Sequence, residues 1–140
     1  PRKTRSFNEH NELVTELHNH LGSVASIRVW TYRPKTFMQS IQFFATASVV
    51  IAPHGAGMVH LLHCPKGTHV IEILGSSYLE PYFISLANII GLNHSTVFAY
   101  QPTRTSPLFF PNVMRIVGAV QELLAQRSAT GHPQDGHRGT

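Results

Sequence analysis

Apolar residues in this chain switch repeatedly between helical spacing and short extended runs, and that alternation limits the folds open to it. Leu13, Val14, Leu17 and Leu21 recur at helical spacing, and Gly22 follows as a stop. Just upstream, Ser6-Phe7-Asn8-Glu9 fits a capping box with Ser6 or Asn8 as the cap. Val24 to Trp30 reads as a strand, and Thr36 to Thr46 as a helix with Phe37, Ile41 and Phe44 on one face. Ser48 to Ala52 reads as a strand apolar on both faces, as in a covered parallel sheet. A short helix over Gly57 to His63, a turn at Pro65-Lys66-Gly67 and a strand over His69 to Leu74 come next. Tyr82 to Ile90 gives a helix ended by Gly91, and His94 to Tyr100 a strand. Gln101 to Pro111, with its three prolines, reads as a loop. Val113, Ile116, Val117, Val120, Leu123 and Leu124 mark a last helix. Helix and strand alternating from end to end predict an α/β domain with a mostly parallel, doubly wound sheet.

A chain of 140 residues is enough for one domain, expected over 1–127. Residues 128–140 are polar, rich in Gly and His and lack an apolar anchor, so a disordered tail is expected there. No apolar run approaches the roughly 20 residues of a membrane span. Pro1 stands where a methionine would open a chain, so an excised piece of something longer is expected. The net charge is +4, and Arg2, Lys3 and Arg5 crowd the first five residues. They read either as a solvated end or as an anion-binding arm, since arginine matches phosphate oxygens bidentately. No long basic stripe follows, which argues against a nucleic-acid surface. The single cysteine, Cys64, forms no intrachain disulfide and reads as a buried, inert thiol.

The stretch that carries chemistry is His54-Gly55-Ala56-Gly57, between an apolar run and a helix-length segment. A strand that runs through a glycine turn into a helix points backbone N–H groups and a positive dipole end at one spot. Such a spot suits a phosphate or diphosphate. Glycine keeps a Cβ out of the way of a close ligand, and His54 adds a donor that can be cationic. The turn is neither a dinucleotide fingerprint nor a P-loop: the third glycine and the Gly-Lys-Ser/Thr ending are both missing. Ala56 stands where a nucleophile elbow would place its nucleophile. Glu72 sits in an otherwise apolar strand. It reads either as a partly exposed strand-end residue bonded to backbone or as an acceptor for two vicinal hydroxyls, such as those of a ribose. His60 and His63, and His18 and His20, lack the fixed ligand sets of zinc sites, so no metal site is expected.

Taken in order, Arg5-x-x-Asn8-Glu9, Ala52-Pro53-His54-Gly55-Ala56-Gly57, Pro65-x-Gly67, Val70-Ile71-Glu72-Ile73 and Tyr82, Ala87 and Gly91-Leu92 resemble the C-terminal half of family 61 glycosyltransferases (the DUF563 group). The resemblance covers about residues 2 to 100. It departs at Met58-Val59-His60, where members more often carry Leu-Thr-Asn or Leu-Thr-His. It implies a Rossmann-like, donor-binding half of a GT-B fold, and inverting transfer of a sugar from a UDP-sugar to a glycan or protein hydroxyl. It implies no obligatory metal or other cofactor beyond the donor. By matching positions, Arg2, Arg5, His54, Gly55, Ala56 and Gly57 would form the diphosphate site, and Glu72 would serve the ribose or structural support. The implied partners are the UDP-sugar, a glycan or glycoprotein acceptor and the N-terminal half of the same protein, which would carry the general base. The implied location is the Golgi or endoplasmic reticulum lumen, by a type II anchor absent from this chain. A non-catalytic nucleotide-sugar-binding or scaffold module that has lost transferase activity is the other expectation.

Overall fold

The computed structural model describes residues 6–7, 9–31, 36–77, 80–103, 106 and 108–129. Its centre is a three-stranded parallel sheet of β2 (Val49–Pro53), β3 (His69–Gly75) and β4 (Asn93–Ala99), in that order. β3 is the middle strand and is buried from Val70 to Gly75. Successive side chains of a strand point to opposite faces. Ile71 and Ile73 therefore join Val97 and Ala99 on one face, under α1 (His10–Leu21) and α4 (Val113–Ala129). Val70 faces the other way, against Met58, Leu61, Ala87 and Leu92. That second face is covered by a 3-10 helix (Ala56–His63) and α3 (Tyr82–Ile90). The architecture is α/β with helices on both faces of a parallel sheet, a form compatible with a Rossmann-like fold.

Several expectations change at the level of single elements. Ser6 does not cap α1: it pairs with Leu108 in a parallel ladder between β1 (Ser6–Phe7) and β5 (Leu108–Phe109). The cap position falls to Glu9, whose side chain makes no capping bond, while Asn8 lies outside the described residues. The same ladder turns part of the expected loop at 101–111 into a strand.

Val24 to Trp30 forms no strand. The N–H groups of Val24 and Ala25 bond back to the carbonyl of Leu21, at 2.9 and 2.8 Å. Further on, Arg28 donates through Nη2 to the Phe43 carbonyl and to Thr46 Oγ1, each at 2.8 Å. Trp30 packs on Phe43, Phe44 and His60. Side-chain docking onto α2 (Phe37–Phe44) thus replaces pairing with β2. β2 is left as an edge strand, half-buried along its length rather than covered on both faces.

α2 starts at a complete capping box between Thr36 and Gln39. Its inward face is Ser40 and Phe44, while Phe37 is 71% exposed and sets its ring edge-on to His63. α4 runs through Ala129, and the rest of the expected tail, 130–140, lies outside the described residues.

Candidate functional site

The carboxyl end of β2 runs directly into the glycine turn. His54 still belongs to the sheet, since its N–H donates to the Ile73 carbonyl at 2.9 Å. Gly55 is extended backbone and precedes the 3-10 helix. The expected segment is helical, but wound with i to i+3 bonds: Met58 N–H to Gly55 O at 3.0 Å opens it, and Cys64 N–H to Leu61 O at 3.0 Å closes it before Pro65. By that pattern the N–H groups of Ala56 and Gly57 come before the first intrahelical bond. Both residues are exposed, and a Cβ at Gly57 would meet nothing within 4 Å. His54 to Gly57 line a cavity of about 1620 Å³, together with all of β2 and with Ile27 and Val29.

His54 itself is not an exposed donor at a tip. It is 3% exposed, with its ring set edge-on to Phe83. The reason is Glu72. Ala52 pairs with Glu72 across the β2–β3 ladder, and His54 is two residues beyond Ala52, so the two side chains share a face. The Nδ1–H of His54 donates to Glu72 Oε1 at 2.5 Å. On the far side, His94 Nε2 donates to Glu72 Oε2 at 2.8 Å. His94 reaches diagonally, because Val70 is its direct partner across the β3–β4 ladder.

Glu72 is therefore not a partly exposed strand-end residue bonded to backbone: it is 2% exposed and holds an imidazole on each carboxylate oxygen. Burial alone pushes its carboxyl up. The hydrogen bonds from His54 and His94 outweigh that effect and hold the carboxyl below its ordinary value.

The other residues singled out in the sequence divide plainly. Arg2 and Arg5 lie outside the described residues. His60 stacks on Phe44 with centroids 5.2 Å apart, and burial, then His63, lower its pKa. Its role is aromatic packing between α2 and the 3-10 helix. His20 pairs with Glu16 one turn earlier on α1, at 3.4 Å. Among the described residues no group of three or more His, Cys, Asp or Glu side chains is arranged to hold a metal ion. Cys64 is half-buried rather than buried, and burial raises its thiol to about 11, which suppresses the thiolate.

His94 is the site residue that sequence reasoning missed. Its signal was available in the strand period: once the ladders are in register, His54, Glu72 and His94 fall on one face. The register itself is a tertiary fact, and nothing local to His94 gives it.

A family model described as Glycosyltransferase 61 matches residues 1–71. A beta-1,2-xylosyltransferase of Oryza sativa subsp. japonica is 34% identical over 59 residues, which is 42% of this chain. The chain spans 11% of the length of that curated relative. The family match takes in α1, β2 and the glycine turn and stops one residue short of Glu72.

Proposed function

The chain belongs to glycosyltransferase family 61, and from that premise we propose that it forms the donor-binding part of an inverting transferase that moves a sugar from a UDP-sugar to a glycan or protein hydroxyl. The observation that carries the reading is the turn at His54 to Gly57. It stands beyond the carboxyl end of a parallel strand, where ligands of open α/β sheets bind. Its Gly57 faces open space on the cavity side, so a diphosphate can approach the backbone N–H groups of Ala56 and Gly57 closely. His54, Gly55, Ala56 and Gly57 shape the diphosphate site in this reading, and Arg2 and Arg5 add bidentate charge to it.

Preorganised donors of this kind stabilise the charge that develops on a departing diphosphate without a metal ion. The two oxygens of Glu72 are already engaged, which favours structural support over ribose binding among the roles considered for it. In the same reading the fold is the C-terminal half of a GT-B enzyme, with domain limits at 1–127. The acceptor and the general base belong to the N-terminal half, and the protein works in the Golgi or endoplasmic reticulum lumen. No helix among the described residues is long and apolar enough to cross a membrane.

The test is UDP-dependent thermal stabilisation of the full-length protein. Free UDP at 100 times its Kd stabilises a binding protein by about 2.7 kcal/mol. Gly57→Ala is expected to fold as stably as the wild type, because its new methyl meets open space, and to lose most of the UDP effect. Arg5→Ala is expected to lose it too. An intact protein that UDP does not stabilise rules the reading out. UDP binding with no transfer across an acceptor panel would identify the non-catalytic module instead.

A further inference from the structure

Resting on the donor-site reading, we infer that His94 and Glu72 are positioning residues that fix the His54 ring and, through it, the glycine turn that meets the donor. The three side chains form one buried line, with side-chain exposures of 4% for His54 and 3% for Glu72 and His94. A carboxylate only accepts, so each ring donates: His54 through Nδ1–H and His94 through Nε2–H. His94 Nδ1 is buried and meets no hydrogen-bond partner among the described residues. A second N–H at that atom would be a buried donor without an acceptor, so the Nε2–H tautomer is the one that fits.

With Nδ1 committed to Glu72, the His54 ring is held in one orientation at the start of the turn. A flipped ring would set a C–H against the carboxylate, and Phe83 closes on the ring edge. The main chain of His54 hangs on the same strand through Ile73. Side chain and backbone at the start of the turn are thus both tied to β3, and the cost of ordering them is met at folding rather than at donor binding. His94 completes the arrangement by holding the second oxygen of Glu72, which stops the carboxylate from rotating away from His54.

Nitrogen NMR of the full-length protein with labelled histidines, together with UDP titration, tests this. In the wild type, His54 is expected to carry its proton on Nδ1 and His94 on Nε2. His94→Ala should shift the His54 ring signals and weaken UDP binding by about tenfold, the scale of one lost bond to a charged group. His94→Gln carries an N–H donor at the same reach and should restore both readouts. A wild-type His94 protonated on Nδ1 alone would overturn the inference, and this needs no variant to fold. So would a His94→Ala protein whose His54 signals and UDP affinity match the wild type. If the tautomers and the His94 response hold while the wild type ignores UDP, the donor reading fails and the positioning of His54 stands.

Discussion

Glu72 is the residue whose placement demands the most of its surroundings. A carboxylate buried in an apolar strand is costly unless paired and hydrogen-bonded, and here one acid is matched by two imidazoles. Breaking a buried pair by removing one partner typically costs about 3–5 kcal/mol, so Glu72→Ala is expected to destabilise by that order. The pH dependence follows from the direction of the shift. The folded carboxyl titrates below its ordinary value of 4.5, so its contribution is complete above that value and fades as pH falls through the lower, folded one. Urea denaturation of wild type and Glu72→Gln should therefore show a gap at neutral pH that narrows in acid. A gap that stays constant into strong acid would contradict the assignment. The sequence made Glu72 conspicuous as a lone acid among apolar residues. It did not reveal the partners, because His54 and His94 lie 18 and 22 residues away along the chain.

At the scale of elements, local chemistry was legible where the chain decides its own conformation. Gly91 ends α3 in the left-handed region, at φ 78°, and accepts the Gly67 N–H at 2.8 Å, which links the two turns that lead into β3 and β4. Gly91→Ala should cost about 1–2 kcal/mol for the left-handed backbone, read as a lowered urea midpoint with an unchanged slope. A midpoint equal to the wild type would mean that the turn relaxes. Thr36 and Gln39 cap α2 from side chains three residues apart, and Gly22 follows α1 as expected. The elements that went otherwise depend on distant partners. Ser6 joined a ladder with a strand 102 positions on, and Val24 to Trp30 lost its ladder to aromatic docking on α2. A strand exists only where a second strand offers its N–H and C=O groups, and no periodicity within seven residues can report that.

Across the whole molecule, two apolar layers hold the sheet, and the heavier one lies under α1 and α4. Ile116 is fully buried in that layer, so Ile116→Ala should cost about 2–5 kcal/mol. Ile89 is equally apolar but 82% exposed on α3, so Ile89→Ala should stay within about 0.5 kcal/mol. Thermal denaturation of the two variants compares them directly, and equal losses would contradict the layering. The alternation of helical and extended periods determined by itself that this is an α/β chain with a parallel sheet. The glycine turn and its neighbours likewise placed it with the family 61 glycosyltransferases. Both are read along the chain, the first from spacings of a few positions and the second from short motifs in a fixed order between Arg5 and Leu92. Only the tertiary structure decided that His54 is buried, that Glu72 is shared between two rings and that His94 belongs to the site. Those facts depend on the register between three strands, which is settled by packing on both faces of the sheet at once.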